Sequence, residues 1–179
     1  MNKIDSPALL RDYLHALQAL SDATAHFNPE RDMVALVDAA LGCTLRLLDV
    51  KDGSMLLVDE AAGELHFMLV HGDAKDTLRG YRFDRHHGIA GWVSDNARAL
   101  VVNDAYADLR FLFSVDDYSG FKTQRLIAVP MIVQGRTIGV VEALNKHSGT
   151  TFTEDDVNIA WVFAALAGGA LDYAAQARR

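Results

Sequence analysis

The sequence predicts an α+β domain, an antiparallel sheet with helices packed on it. Three observations carry this. Two pairs of short apolar segments with period-two alternation flank tight turns, as β-hairpins do. Long segments at both ends repeat apolar residues every three or four positions, as amphipathic helices do. The elements follow in the order helix, helix, hairpin, short helix, strand, hairpin, helix, which gives strands in hairpins on one sheet.

Ser6-Pro7 is a helix start, with Pro at the first helical position. Leu10, Tyr13, Leu17, Leu20, Thr24 and Phe27 then step by three and four in a heptad-like seam. Asn28-Pro29 ends that helix. A second helix is predicted over Arg31 to Leu48, with Val34, Val37, Leu41, Leu45 and Leu48 on its buried stripe, before the turn Asp52-Gly53. Ser54 to Asp59 and Glu64 to His71 read as a hairpin around Ala61-Ala62-Gly63. A mixed stretch rich in His, Arg and Gly follows, then "GIAGWVSDN", Gly88 to Asn96, a loop entering a short helix. Leu100 to Asn103 is a short strand. Gln124 to Val133 and Thr137 to Leu144 form a second hairpin around Gln134-Gly135-Arg136, with Pro130 restricting which edge of its strand can pair. Thr153-Glu154-Asp155-Asp156 opens the last helix with a Thr cap and an acid three residues on. Ile159, Trp161, Val162, Phe163, Leu166, Leu171 and Tyr173 make that helix apolar nearly all round, so it needs cover on more than one side.

The 179 residues suit one domain able to bury a core without staples. Half are hydrophobic and 23% are charged, an ordinary globular composition. A net charge of −7 with no Lys/Arg block disfavours a nucleic-acid surface. The single cysteine, Cys43, excludes an internal disulfide and a Cys-rich zinc site, and fits a reducing cytoplasm. No apolar run is read as a membrane span, and the N-terminus carries no signal-peptide core, so no membrane partner is expected.

No nucleophile elbow, phosphate loop, His-Glu-x-x-His or dinucleotide fingerprint appears. His86-His87 are adjacent and cannot both face one metal from a regular strand, so they read as solvated loop residues. His71 reads as a strand-end surface residue, and Cys43, mid-helix among apolar neighbours, as a buried inert thiol. Asp104, Asp108, Asp116 and Asp117 are not forced together by spacing. Glu142 is the exception, because it interrupts the apolar strand "IGVVEALNK". Alternation puts it on one face with Ile138 and Val140, opposite Gly139, Val141 and Ala143. An acid in that row stands either at a wet edge or inside a cavity that satisfies it.

Four segments together resemble the GAF domain, a small-molecule-sensing module of signalling proteins: "GIAGWV", "VNDAYADLRF", "VDDYSGFKTQRLIAVP" and "IGVVEALNK". The likeness runs from about Arg31 to Tyr173 and is nearest to the GAF domains that regulate cyclic-nucleotide phosphodiesterases and cyclases. Of their signature, Asn145, Lys146, Phe152 and Asp156 match, and Val157 stands where a Glu would be. The resemblance implies a six-stranded antiparallel sheet, terminal helices on one face and a ligand pocket on the other, and no catalysis. It implies that backbone amides at Ile89 and Ala90 hold a cyclic phosphate, that Asp116 and Thr123 lie along the purine and ribose, and that Glu142 and Ser54 lie on the pocket floor. It makes the Asp116 to Thr123 loop a lid; in that loop the side chains of Ser119, Lys122 and Thr123 can supply donors to an anion, and Gly120 lets it bend. The aromatic and the Asp that clamp and read guanine in the family correspond to Val70 and His71, and a large lid aromatic to Leu112, flanked by Phe111 and Phe113. Guanine, adenine and other small ligands therefore stay open.

The seam from Leu10 to Phe27 exposes a stripe that the sheet need not cover, and the Ala-rich last helix permits close packing, so a homodimer through the terminal helices is expected, with residues 1–30 as a dimerisation helix, residues 31–179 as the sensing domain, and an output domain as a further partner. In the leading reading the chain binds a cyclic nucleotide (cyclic GMP or cyclic AMP) or a similar anionic ligand, with no resident cofactor. The alternative is a degenerate domain that only dimerises and transmits signals. Some family members reduce free methionine sulfoxide through several cysteines, which one helical Cys argues against. Bilin attachment needs a pocket Cys, and haem needs an axial ligand, for which His71 and His147 are the residues to test.

Overall fold

The computed structural model describes residues 6–25 and 32–177. Phe27, the stop at Asn28-Pro29 and the boundary at residues 30–31 lie outside the described residues. Helix α1 (Pro7–Ala25) starts where its N1 proline places it. Helix α2 (Met33–Leu47) starts two residues later than the periodicity predicts, because Asp32 is its cap: the carboxylate accepts from the backbone N–H of Val34 at 3.1 Å and of Ala35 at 3.2 Å. Strands β1 (Asp52–Asp59) and β2 (Glu64–His71) form the first hairpin.

Next come α3 (Lys75–Leu78), β3 (Arg82–Asp84), α4 (Gly88–Asn96) and β4 (Leu100–Val102), then a 3-10 turn (Ala105–Ala107) and α5 (Phe113–Ser119). Strands β5 (Leu126–Val133) and β6 (Arg136–Leu144) form the second hairpin, and α6 (Glu154–Gln176) closes the chain. The second turn has two residues rather than three. Gln134 (φ 50°) and Gly135 (φ 77°) both adopt the left-handed conformation that matches strand twist, and Arg136 already pairs with Val133.

All strand pairs are antiparallel, in the order β3-β2-β1-β6-β5-β4. Pro130 is accommodated because β4 pairs only with Leu126 to Ala128, so the β4-side edge of β5 is unpaired at the proline. Ile138 departs from the expected face. Met131 pairs with Gly139 and Ile132 with Thr137, which leaves Ile138 as the extra residue of a bulge. Its side chain turns to the helical face beside Gly168, while Val140 stays on the other face.

The sheet separates two cores. One joins α1, α2 and α6 to Met55, Leu69, Ile127, Val129, Met131 and Val141. The other joins α3 and α4 to Leu56, Leu65, Phe67, Leu126, Ala128 and Val140. On α1, Tyr13, Leu17 and Leu20 of the predicted seam are buried inside the protomer, and the Tyr13 hydroxyl donates to the carbonyl of Ile159 at 2.8 Å. That corrects the expectation of a seam left free for a second copy: α2 and α6 already cover it.

Helix α6 is, contrary to the sequence reading, long and apolar enough to cross a membrane by length and composition. Its packing accounts for that apolarity. Ala160, Ala164, Ala167 and Gly168 let it sit close on β5, and a Cβ at Gly168 would lie 3.3 Å from Val133 Cγ2.

Candidate functional site

The face of the sheet away from the terminal helices carries a cavity of about 690 Å³, part of it open to solvent. All nine residues expected to contact a ligand line it. Ser54 comes from β1, Val70 and His71 from β2, and Ile89 and Ala90 from the first turn of α4. Leu112 precedes α5, Asp116 lies on it, Thr123 follows it, and Glu142 comes from β6. Bulges help to aim them: Met55 pairs with Leu69 and Leu56 with Phe67, so Met68 is extra and the cavity-facing parity shifts from Phe67 to Val70.

At the α4 end, Gly88 adopts φ 78°, and a Cβ there would come within 3.3 Å of Leu112 Cβ. His87, at the cap position, makes no side-chain cap bond, so no side chain takes up the amides of the first turn. The two adjacent histidines pair with acids in solvent: His86 with Asp95 at 2.8 Å and His87 with Asp84 at 3.2 Å.

The stretch expected to be a lid loop is a helix followed by a tight return. Helix α5 ends at Gly120, which caps it at φ 70°. The chain then folds back to lay Thr123 on the buried Asp116. The carboxylate accepts from the Thr123 backbone N–H at 2.7 Å, the Thr123 hydroxyl at 2.8 Å and the Tyr106 hydroxyl at 3.1 Å. Asp116 and Thr123 thus satisfy one another. Ser119 lines the cavity, and its hydroxyl donates to the Asp116 carbonyl at 3.3 Å and accepts from the Phe121 N–H at 3.2 Å. Lys122 does not line the cavity; it is exposed, with its ammonium 6.0 Å from the Tyr106 ring. Among the described residues no Lys or Arg lines the cavity, while Asp52, Asp116 and Glu142 do.

Glu142 sits on the floor between its cross-strand neighbours Ser54 and Ala128. The Ser54 hydroxyl donates to Glu142 Oε2 at 3.1 Å. Glu142 is half-buried by accessible area because it faces the cavity rather than bulk water. Burial pushes its carboxyl up to about 7; the Ser54 hydrogen bond opposes that shift and the nearby Asp116 charge adds to it. His71 is more than a strand-end surface residue. It lines the cavity and joins Asp38 of α2 through Nε2 at 2.8 Å, and a Cβ at Gly42 would lie only 3.2 Å from its ring.

Behind the floor, Lys146 Nζ and Asp156 Oδ2 are 2.6 Å apart, with side chains 8% and 4% exposed. The same Asp156 oxygen accepts from the backbone N–H and the hydroxyl of Thr153, completing the capping box of α6. Lys146 also lies 5.5 Å from the Phe152 ring. Asn145 (φ 50°) ties β6 to the return after α5: its side chain accepts from the N–H groups of Gln124 and Arg125 and donates to the Lys122 carbonyl.

Sequence reasoning missed Tyr106 as a partner of Asp116, and Phe83 on β3 as part of the lining. The alternation Tyr81-Arg82-Phe83 was the available signal for β3. Cys43 is half-buried rather than buried, lies off the cavity, and receives a hydrogen bond from Arg46 Nη2 at 3.0 Å, a cation one turn along the helix that the sequence reading did not count. His147 is exposed and does not line the cavity. No group of metal-binding side chains occurs among the described residues.

Comparison with known proteins agrees with this architecture. A probable 3',5'-cyclic phosphodiesterase, pde-5, of Caenorhabditis elegans is 31% identical over 164 residues, 87% of this chain and 22% of that protein. A dual 3',5'-cyclic-AMP and -GMP phosphodiesterase 11A of Takifugu rubripes is 37% identical over 89 residues, 49% of this chain and 10% of that protein. The chain thus spans about a fifth or less of these relatives. Among solved structures, the GAF domain of a phosphoenolpyruvate-protein phosphotransferase from Coxiella burnetii superposes with a TM-score of 0.77 at 15% identity, covering 94% of this chain and 96% of that one. The free methionine-R-sulfoxide reductase of Neisseria meningitidis superposes at 0.71 with 22% identity, covering 92% and 91%. The family model of the GAF domain matches residues 32–171, and the chain belongs to that family, a regulatory domain family.

Proposed function

We propose that this chain is a cytoplasmic sensory module that binds a cyclic nucleotide or a similar anionic ligand in the cavity and passes the signal on through a helical dimer to an output domain. One observation carries the reading: an apolar cavity, partly open to solvent, has the uncapped first turn of α4 at one end and a hydrogen-bonding floor at the other. A helix N-terminus offers free N–H groups and the positive end of a dipole to an anion, even in a chain of net charge −7. The phosphodiesterase relatives support a cyclic nucleotide as the ligand class. The cavity holds no cysteine, so methionine sulfoxide reduction gains no support from it.

The dimer surface lies on the outer side of the helical layer, where Leu10 (39%), Leu14 (53%) and Val162 (47%) are exposed, rather than in the seam already buried. Light scattering at micromolar concentration is expected to give twice the 19.6 kDa chain mass, and Leu14→Glu to give the monomer.

The binding test is thermal unfolding with cyclic GMP, cyclic AMP and the linear monophosphates. A ligand at about 100 times its Kd stabilises by about 2.7 kcal/mol, which raises Tm by roughly 5–10 °C for a chain of this size. A second reading, a ligand-free domain serving only dimerisation and signal transmission, is favoured by the absence of a lining cation and by the Asp116–Thr123 closure. If no nucleotide moves the transition, that second reading replaces the first.

A further inference from the structure

The polar groups around the cavity differ in what they have left to offer a ligand. Asp116 is filled by Thr123 and Tyr106, His71 Nε2 by Asp38, and the Ser119 hydroxyl by backbone on both sides. Asp52 accepts from the Asp73 N–H at 2.9 Å. Glu142 has one hydrogen-bond partner among the described residues, Ser54, which leaves Oε1 and one lone pair of Oε2 without a partner in a residue that lines the cavity. Asp52 likewise keeps Oδ2 open, but Glu142 is the acid on the floor, between Ser54 and Ala128, and it keeps two adjacent hydrogen-bonding positions open.

A carboxyl group in that setting presents one of two faces. Neutral, it offers an O–H donor beside a carbonyl acceptor, which matches the N1 acceptor and N6–H donor along the edge of adenine. Ionised, it offers two acceptors, which match the N1–H and N2–H donors of guanine. Resting on the reading of the cavity as a cyclic-nucleotide site, we propose that Glu142, oriented by Ser54, reads the purine edge, and that its protonation selects between the two bases: cyclic AMP when neutral, cyclic GMP when ionised.

The surroundings leave both states accessible. From β1 it faces Ser54 and Asp52, from β2 His71, and from α5 Asp116; β5 places Ala128 opposite, and α4 contributes Ile89 and Ala90. Helix α6 meets the opposite face, and its buried Asp156 is paired with Lys146. Among the described residues no Lys or Arg lines the cavity to hold Glu142 ionised, and burial pushes its carboxyl up to about 7.

The test is calorimetric titration of the full chain with cyclic AMP and with cyclic GMP at pH 6 and pH 8. A midpoint at about 7 makes cyclic AMP bind about tenfold more weakly at pH 8 than at pH 6, and cyclic GMP about tenfold more tightly. Glu142→Gln fixes the donor-acceptor face. It is expected to keep cyclic AMP binding, make it independent of pH, and remove the gain for cyclic GMP. Binding with the same preference at both pH values, or loss of cyclic AMP in the Gln variant, overturns this inference alone. Binding of neither nucleotide at either pH overturns it together with the cyclic-nucleotide reading. The protonated-carboxyl band in the infrared difference between wild type and Glu142→Gln gives a readout without nucleotide. Its loss around pH 7 supports the inference, and its loss near pH 4.5 overturns it.

Discussion

Removing one partner of the Lys146–Asp156 pair tests whether the floor of the domain rests on a buried ion pair or on a helix cap alone. The two side chains are 8% and 4% exposed and 2.6 Å apart, so neither charge reaches water when its partner is lost. Asp156→Ala strands the ammonium and removes the N3 half of the capping box, leaving Thr153 as the cap, and is expected to cost about 3–5 kcal/mol. Lys146→Met keeps most of the stem against Phe152 and leaves Asp156 its two bonds from Thr153, so a loss of about 1–2 kcal/mol is expected. In the double variant no stranded charge remains, so the losses do not add. The cycle should return a coupling of about 1–3 kcal/mol. Urea unfolding of the four proteins measures it, with equal m-values as the check on a two-state reading. The coupling should persist in high salt, since ions do not reach the pair. A coupling of a few tenths of a kcal/mol would refute the reasoning and leave Asp156 with only its part in the capping box of α6.

Thr123→Ala is expected to lose about 1–3 kcal/mol without any ligand, because its hydroxyl donates to the buried Asp116 at 2.8 Å; urea unfolding of the ligand-free protein checks this. Asn145→Ala should lose about 2 kcal/mol, from three side-chain bonds and a left-handed backbone, and Asn145→Gly should recover only the backbone part, both read by the same unfolding. Glu142 carries a pH signature in stability. Its folded pKa is raised from 4.5 to about 7, so its contribution is fully present below pH 4.5 and is lost as pH rises to about 7. Glu142→Gln should therefore gain on wild type by up to about 3 kcal/mol between pH 4.5 and pH 8, at about 1.4 kcal/mol for each pH unit that separates the folded from the unfolded pKa, read as a growing difference in Tm.

The parts of the fold that local chemistry determines were legible. Ser6-Pro7, the hairpin alternations and the Thr153 cap each specify an element through the residues they contain, and each lies where expected. Asp32 as the cap of α2 was equally local, but it stands in the charged run Glu30-Arg31-Asp32, which leaves the first helical residue unmarked until the apolar stripe begins at Met33 and Val34. Helices α3 and α5 and strand β3 were not legible, because three to seven residues carry too little periodicity to outweigh a loop. Their partners are remote: Thr123 holds α5 through Asp116, and the edge of β2 holds β3. Ile138 shows the same limit within a strand, where strict alternation cannot see a bulge that only the pairing with Met131 and Ile132 creates.

The cavity residues divide in a similar way. Eight of the nine were placed through the family likeness, since nothing in Val70, Leu112 or Ala90 alone asks for a cavity. Glu142 asked for one by itself. Its row on β6 is apolar, and an acid there needs either water or an enclosed partner. The structure provides an enclosed partner, Ser54, and leaves the rest of the carboxyl facing empty space. The price of that position is an acid that burial resists ionising. A site used only for dimerisation would lose nothing by replacing it with Gln or Leu. The same asymmetry separates Glu142 from Asp116, whose hydrogen bonds are spent within the fold and whose loss should be felt in stability first. Glu142 contributes little to packing, and its remaining hydrogen-bonding capacity points to what enters the cavity.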